Sequence, residues 1–338
     1  MHMCIKKVRI SDVAKLAGVS SATVSRAINN QSIVQSDTYK KVVAAMTELG
    51  YEKSLAFNTA STGCSFNDLI IFSLPSIDNP FYSEITKGAQ SAAQRYGRHI
   101  LIHSGLLEGE GFVRFTEMVK NNRVAGVITA NFLTVASLEK LNAITQVVQC
   151  CEFCENHETS YVSIDDYHSV KNALDYIFTR GRRNIALING PAKYKYARHR
   201  QRGYLDFLSE KGIPVKESFI VQLNDVNYDI AIAAITQLLS KDDLPDAIFA
   251  VSDIYASAAI KVAKKCGLQV PRDLVIVGFD NIDVSVMSEP SITTISQPRF
   301  QMGYMACELL LERIANSDVP TKRIILDTEL IIRESTMV

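Results

Sequence analysis

The 338-residue sequence has no run of about 18 apolar residues, so no membrane-spanning helix is expected. Its opening residues, MHMCIKK, lack the apolar stretch of a secretory signal, which favours a cytoplasmic protein. A glycine-rich phosphate loop, a Walker A pattern and a Gly-x-Ser-x-Gly elbow are also missing. The sequence therefore gives no support for an enzyme, and we expect no cofactor.

The seven cysteines are an odd number scattered along the chain, which is typical of a reducing compartment. Cys150, Cys151 and Cys154, with His157 after them, resemble part of a metal site. A structural zinc site needs a second pair of ligands at similar spacing, and the sequence has none. We therefore favour a strand end that passes into a loop with buried thiols, and we expect no metal.

Charge is balanced overall but unevenly distributed. Residues 1–60 hold eight basic and four acidic side chains, a net charge of +4, so the remaining chain carries −4. A basic N-terminal segment indicates a nucleic-acid partner. Because the excess is modest, one copy should bind weakly, and a dimer is expected.

Residues 10–30 have the pattern of two short helices joined by a tight turn. Small apolar residues give the first helix one buried stripe, Gly18 follows its end, and Ser20 is a suitable N-cap for the second. The other face of the second helix carries short, hydrogen-bonding or cationic side chains that suit base edges and phosphates. The candidate DNA-binding residues are Ser20, Ser21, Ala22, Thr23, Ser25, Arg26 and Asn29. The pattern predicts a helix-turn-helix that binds double-stranded operator DNA.

From residue 68 onward, short apolar runs alternate with longer amphipathic segments, which predicts parallel sheets covered by helices. The predicted strands are 69–74, 100–103, 124–130, 161–164, 185–188, 247–251 and 274–279. The predicted helices are 36–49, 81–96, 111–122, 168–180, 200–211, 229–240, 254–265 and 300–316. This is too much chain for one open sheet, so two similar subdomains are expected.

Ligands of such folds bind in the loops at the carboxyl ends of the strands. These loops carry carboxylates, an arginine-rich stretch and aromatic rings, which suit a polyhydroxylated ligand. Asp253 and Asp280 have an alternative role as caps of the helices that follow, and for Asp253 the two roles are equally open. The sequence does not place a nucleophile beside His199. We therefore interpret His199 as a histidine in a loop rather than as a catalytic base.

Several motifs together resemble the lac repressor family over nearly the whole chain. SDVAKLAGVSSATVSRAINN is similar to its DNA-binding signature, and NPFYSEITKGAQSAAQRYG, RHRQRGY, VSDIYASAAI and VGFDNIDVSVMSEPSITTISQPRFQMG are similar to its core motifs. The resemblance implies an α/β fold with an N-terminal three-helix helix-turn-helix headpiece. It also implies a periplasmic-binding-protein-like core of two Rossmann-like parallel-sheet subdomains.

The same resemblance implies a domain plan and an assembly. The headpiece is expected over 1–53, the hinge over 54–67 and the core over 68–338. The N-subdomain would hold about 68–166 and 297–324, the C-subdomain about 167–296 and 325–338, with crossovers near Asp166, Gln297 and Ile324. A small-molecule effector would bind between the subdomains of a homodimer, since the leucine-heptad tail of tetrameric relatives is not found.

Matched residue by residue, the resemblance implies a set of effector contacts. They are Asp78, Phe81, Tyr82, Arg200, Ser252, Asp280 and Gln297. DNPFYSEI, GFDNID, TTISQPR and ELIIRESTM are most similar to the cytidine-responsive repressors of the family. A nucleoside, cytidine first, is therefore the expected effector, and the cyclic-AMP receptor protein is a candidate partner. The alternatives are a sugar- or purine-responsive regulator of this family and, more remotely, a solute-binding protein without a DNA role.

The sequence departs from the family pattern in the hinge, at Arg9 before the first helix, where relatives often have threonine, and in the cleft. The hinge residues Ser54, Phe57, Asn58 and Ala60 replace the usual Pro-Asn-x-x-Ala-Arg-x-Leu, so an alanine stands where relatives have a minor-groove leucine wedge. Val226 stands where relatives place an aromatic ring over the ligand. The first departure predicts that the helix-turn-helix supplies most of the base readout.

Overall fold

A computed structural model describes residues 10–21, 23–24, 36–48 and 69–337. The chain divides into two units, residues 1–65 and residues 66–338, and each is described by itself. The predicted hinge, with Ser54, Phe57, Asn58 and Ala60, lies outside the described residues.

The N-terminal unit contains helices α1 (Ile10–Ala17) and α2 (Ser36–Glu48). Val13, Val24 and Val42 are buried together in a small apolar core. Gly18 adopts a φ of +65° just after α1, which only glycine reaches without strain, so the first helix ends where the sequence predicts. The helix predicted over 36–49 is found as α2 over Ser36–Glu48.

The first lobe of the C-terminal unit is built on a six-stranded sheet. Its strands are β1 (Leu69–Leu74), β2 (His99–Ser104), β3 (Gly126–Thr129), β4 (Gln146–Cys150), β5 (Tyr161–Ile164) and β11 (Arg323–Leu326). Their order is β11-β5-β4-β3-β1-β2, and every pairing is parallel. The helices of this lobe are α3 (Phe81–Arg95), α4 (Gly109–Asn121), α5 (Val135–Asn142) and α11 (Arg299–Ala315).

The second lobe repeats this plan with another six-stranded sheet. Its strands are β6 (Ile185–Asn189), β7 (Ile220–Gln222), β8 (Ala247–Ala250), β9 (Val275–Asp280), β10 (Thr293–Ser296) and β12 (Glu329–Ile331), in the order β12-β10-β9-β8-β6-β7. Its helices are α6 (Asp166–Thr179), α7 (Lys195–Glu210), α8 (Tyr228–Leu239), α9 (Asp253–Lys265) and α10 (Val284–Met287). Only the β10–β12 pair of this sheet is antiparallel. Short 3-10 helices cover Glu217–Phe219 and Glu334–Thr336.

The chain passes between the two sheets after β5, after β10, and between β11 and β12. Ile325 and Leu326 pair with Ser163 and Ile164 of the first sheet. β11 of the first sheet therefore continues to Leu326, and the chain passes to the second sheet after it. These crossings bring the carboxyl ends of both parallel sheets to the region between the lobes, where a ligand site is expected.

Two glycines allow α3 and α11 to pack closely against each other. A Cβ at Gly88 would collide with the backbone oxygen of Phe300, and one at Gly303 would collide with that of Ile85. The buried strands between the helices read as nearly continuous apolar runs, as parallel strands covered on both faces must. None of the described helices is long and apolar enough to cross a membrane.

Candidate functional site

A cleft of about 570 Å³ lies between the lobes, at the carboxyl ends of the strands. All seven residues predicted to contact an effector line it: Asp78, Phe81, Tyr82, Arg200, Ser252, Asp280 and Gln297. They come from loops and helix starts that are far apart in the sequence. The structure therefore brings the predicted set into one place.

Arg200 is held rigidly in the cleft by its neighbours. It is 4% exposed, and its Nε donates to Asp166 Oδ1 at 2.8 Å while its Nη1 donates to the Val251 carbonyl at 2.6 Å. The guanidinium stacks on the Phe279 ring, 3.4 Å from the centroid. Its Nη2 makes no hydrogen bond to any residue that the structure describes. The N–H groups of this nitrogen are therefore available to an acceptor on a ligand.

Asp166 joins Arg200 to a second buried cation, Lys195. Lys195 Nζ donates to Asp166 Oδ2 at 2.6 Å and to Ser163 Oγ at 3.0 Å, and the exposed fractions of Lys195 and Asp166 are 1% and 2%. Burial alone would raise the pKa of Asp166, but Lys195 and Arg200 hold it below its ordinary value. The aspartate is therefore ionised, and it fixes both buried cations in place.

Asp280 ends β9 with its carboxylate in the cleft. Gln297 Nε2 donates to its Oδ1 at 2.8 Å, and Arg200 Nη1 lies 3.9 Å from the same oxygen. Burial raises the pKa of Asp280 to about 6, although Arg200 and Arg299 oppose the shift. Its φ of +111° is strained for a side chain with a Cβ, and strain of this kind concentrates at binding sites. Above the pKa, the carboxylate is an acceptor for ligand hydroxyls.

Asp253 is not among the residues that line the cleft, and it is not the cap of α9. Ser252 is the N-cap of α9, because its Oγ accepts from Ile254 N at 3.3 Å. Asp253 is the first helical residue and accepts from Ile282 N at 2.9 Å and from Thr294 Oγ1 at 2.6 Å. The cap interpretation is therefore wrong, and Asp253 instead ties the start of α9 to the turn after β9 and to β10.

The raised pKa of Asp253 should make the stability of the protein depend on pH in a distinctive way. Burial and the neighbouring Asp280 carboxylate raise its pKa from 3.8 to about 8, so the folded state binds this proton more tightly than the unfolded chain. Its contribution is complete below pH 4 and is lost as the pH rises through about 8. Asp253→Asn, which mimics the neutral acid, should lose less stability than the wild type between pH 5 and pH 9 in urea unfolding.

The matched control for this prediction is Asp283→Asn, because Asp283 is exposed and its side chain makes no cap bond. It should keep the pH dependence of the wild type. If the free energies of unfolding of Asp253→Asn and the wild type changed in parallel with pH, the pH dependence would not come from Asp253.

Aromatic rings reach the cleft from both lobes. Phe81 and Tyr82 of the first lobe meet edge to face with centroids 5.2 Å apart. Tyr194 and Tyr196 of the second lobe stack at 5.6 Å with planes 17° apart. The second pair was not predicted, although the Lys-Tyr-Lys-Tyr run before RHRQRGY was visible in the sequence. Val226 lines the same cleft and is half-buried.

The start of α7 is bound to the first lobe by carboxylates that sequence analysis missed. Glu152 accepts from Lys195 N at 2.7 Å and from Tyr196 N at 3.1 Å, so it caps a helix of the other lobe. Burial raises the pKa of Glu152, against the attraction of Lys195. Two further bridges, Glu108–Lys193 at 2.8 Å and Glu155–Arg198 at 2.7 Å, link the lobes nearby. A ligand that touches α7 therefore touches the junction between the lobes.

Other candidate residues have clear positions. Asp78 is exposed at the cleft, where its N–H donates to Ser76 Oγ at 3.1 Å. His199 lies in α7 rather than in a loop, and its Nε2 is 2.7 Å from Glu155 Oε1.

The cysteine segment ends β4, with Cys150 buried and Cys151 lining the cleft. Their sulfurs are 3.8 Å apart. Among the residues the structure describes, no three histidine, cysteine or carboxylate side chains are grouped for a metal ion.

The helix-turn-helix candidates are described in part. Ser20 and Ser21 are exposed and Thr23 is half-buried. Ser20 Oγ accepts from Thr23 N at 3.0 Å, as an N-cap does, so at least this residue has the predicted local role. Ala22, Ser25, Arg26 and Asn29 lie outside the described residues.

Comparisons with known proteins agree with this geometry. Residues 9–54 match the family described as bacterial regulatory proteins, lacI family, and residues 174–336 match a periplasmic binding protein-like domain. The chain is 33% identical over 329 residues to the HTH-type transcriptional repressor CytR of Escherichia coli K12, covering 97% of this chain and 96% of the relative. It is 32% identical over 333 residues to catabolite control protein A of Priestia megaterium, covering 97% and 99%.

Solved structures give the same result. The lac repressor dimer bound to operator and the anti-inducer ONPF superposes with a TM-score of 0.75 at 25% identity, covering 98% of this chain and 100% of that one. A complex of the regulator CelR with cellobiose gives 0.74 at 28% identity, covering 97% and 99%. The predicted fold, a helix-turn-helix headpiece with a periplasmic-binding-protein-like core, is confirmed. The chain belongs to the lacI family of DNA-binding transcriptional repressors.

Proposed function

We propose that this repressor is a homodimer whose affinity for operator DNA is set by a nucleoside, cytidine first, bound in the cleft between the lobes. The observation that carries the proposal is the meeting of Arg200, Asp280 and aromatic rings of both lobes in one cleft of about 570 Å³. Since the protein acts on the chromosome, we place it in the cytoplasm.

The chemistry of the cleft suits a nucleoside. Flat bases stack on rings such as Phe81, Tyr82, Tyr194 and Tyr196, while the Asp280 carboxylate accepts from sugar hydroxyls. The cleft has ample room for a ligand of this size. The motifs similar to cytidine-responsive repressors favour cytidine among the nucleosides.

Calorimetry with cytidine, adenosine and ribose tests the effector. Heat of binding for cytidine, and weaker or no heat for ribose, is the expected result. Binding of ribose alone, or of a purine alone, would reject the cytidine assignment and favour the sugar- or purine-responsive alternatives. The sugar alternative draws support from relatives such as the ribose operon repressor of Halalkalibacterium halodurans.

Control of DNA binding follows if the effector prefers one arrangement of the lobes. A ligand that bridges Phe81 and Tyr82 of the first lobe to Tyr194 and Arg200 of the second binds their closed arrangement more tightly than an open one. It then shifts the population toward that arrangement by its difference in affinity. Comparing operator affinity with and without cytidine distinguishes an inducer from a co-repressor.

The dimer is supported by the lac repressor, whose structure on operator is a dimer. In this chain β2 is an edge strand, and Leu101 on it and Val113 on α4 are 47% and 53% exposed. An interface between two copies along this edge would cover these apolar side chains. Sedimentation should give twice the mass of 37.5 kDa, and a monomer at micromolar concentration would contradict the assembly.

The DNA-binding role is tested at Arg26. Arg26→Ala should abolish operator binding in a mobility-shift titration, because it removes the single cation of the predicted base-contacting face. The sedimentation mass and the heat of cytidine binding should stay those of the wild type. Unchanged operator affinity would refute the assignment of this helix.

A protein partner is consistent with the altered hinge. Because Ala60 is too short to wedge into the minor groove, DNA affinity should be low, and a neighbouring bound protein would raise it through effective concentration. We propose the cyclic-AMP receptor protein in this role. Cooperative binding on DNA that carries both sites is the expected result, and additive binding would exclude it.

A further inference from the structure

A second, shallow pocket of about 670 Å³ lies at the amino ends of the first-lobe strands, opposite the cleft. Its lining is Arg98, Val119, Lys120, Arg123, Val124, Ala125, Ile144 and Ile314. Three of these side chains are cationic and none is acidic. We call it the basic pocket.

Two of the cations of the basic pocket, Lys120 and Arg123, have exposed side chains. Lys120 lies in the last turn of α4 and Arg123 follows its end, and both are exposed. Neither makes a side-chain hydrogen bond or ion pair with a residue that the structure describes. A helix C-terminus attracts cations, which explains part of their placement. This attraction does not explain why an arginine, rather than the usual glycine, adopts the left-handed conformation at residue 123, where φ is +49°.

The basic pocket lies where the chain from the DNA-binding segment enters the core. Ala125 N donates to the carbonyl of Leu69, the first residue of β1, at 2.9 Å. The segment that matches the DNA-binding family model ends at residue 54, so residues 55–68 join it to this edge of the core. The pocket is thus on the edge of the core that is nearest along the chain to the DNA-binding residues.

We propose that the basic pocket binds phosphates of the DNA that flanks the operator. Positive charge is what the DNA backbone attracts, and the charged side chains that line this pocket are all cationic although residues 61–338 carry a net charge of −4. The inference rests on the DNA-binding function of the family and adds a contact surface on the core. Such contacts position the protein and add affinity without reading sequence.

The test is the salt dependence of operator affinity for the double variant Lys120→Ala/Arg123→Ala. Each phosphate contact contributes about −0.9 to the slope of log K against log salt. Because the dimeric variant loses two cations per copy, this slope should become less negative by about two to four. Affinity at low salt should fall at least about tenfold, and the loss should shrink as salt rises. Trimming the duplex to the operator itself should remove the difference between the variant and the wild type.

The matched control is Lys264→Ala/Lys265→Ala. It removes the same charge from the last turn of α9 in the second lobe, where both lysines are exposed. This control should keep the slope of the wild type. An unchanged slope in the pocket variant, or an equal change in both variants, would overturn the proposal.

Two measurements separate this proposal from the proposed function. The pocket variant should keep the unfolding midpoint and the cytidine affinity of the wild type, which shows that it is folded. Should the wild-type protein bind no operator at all, the proposed function fails and this proposal fails with it. Should operator binding persist with an unchanged slope in the pocket variant, only the basic pocket is refuted.

Discussion

Arg200→Ala is expected to weaken effector binding about 10- to 100-fold in calorimetry. A hydrogen bond to a charged group contributes about 1.5–3 kcal/mol, and each 1.4 kcal/mol is about tenfold in affinity. The Nη2 group of Arg200 is the donor that would be lost from the cleft. Operator binding without effector should persist, because Arg200 lies in the core and not in the DNA-binding segment.

Arg202→Ala is the matched control, two residues further along α7. Its side chain is 77% exposed and pairs loosely with Asp206 at 3.6 Å. Exposed pairs of this kind contribute little, so effector affinity should be that of the wild type. Equal effector affinity in the Arg200→Ala variant and the wild type would show that the ligand does not contact this part of the cleft.

Asp166→Asn is expected to lower the free energy of unfolding by about 3–5 kcal/mol, the usual cost of breaking a buried ion pair by removing one partner. The change leaves Lys195 and Arg200 buried without the carboxylate that both contact. Because Asp166 has a lowered pKa, its contribution is present above the unfolded pKa of 3.8 and is lost as the pH falls through the lower folded value. The difference between variant and wild type should therefore shrink in acid.

The neighbouring Asp165→Asn variant provides the control. Asp165 caps α6 by accepting from His168 N at 3.0 Å, and asparagine is an equally good N-cap. Asp165 is also exposed. In urea unfolding, the Asp165→Asn variant should therefore lose much less free energy of unfolding than Asp166→Asn. A similar loss in the two variants would show that the buried ion pairs of Asp166 contribute no more to stability than an exposed helix cap.

Much of the fold was predictable because its signals are local. The predicted strands 69–74 and 161–164 match β1 and β5 residue for residue, since buried parallel strands read as short apolar runs. The short strands β7, β10, β11 and β12 escaped prediction, and β4 was foreseen only as a strand end before the cysteine loop. The four short strands have three or four residues each, and only their pairing with distant strands defines them.

The start of α7 shows where local signals end. The sequence predicts a helix from residue 200, yet α7 begins at Lys195. Its first N–H groups are satisfied by Glu152, more than 40 residues away on the other lobe, and no residue next to the helix caps it. A contact of this kind has no periodicity and no spacing rule, so only the tertiary structure reveals it.

The candidate site divides in the same way. Arg200, Asp280 and the residues around them were located through motifs that resemble the family, and the structure gathers them in one cleft. Lys195, Tyr194 and Tyr196 were missed because the resemblance carried no role for them. Their importance follows from burial and from contacts across the lobes.

The most direct test of the account is the affinity for operator DNA as cytidine is added. Operators selected from random duplexes by the purified protein would be titrated by fluorescence anisotropy at fixed salt, with the wild type and Arg200→Ala. The operator affinity of the wild type is expected to change with cytidine, half-maximally near the dissociation constant from calorimetry. The Arg200→Ala variant should need about 10- to 100-fold more cytidine for the same change. An operator affinity that stays constant while cytidine saturates the cleft would contradict control of DNA binding by this ligand.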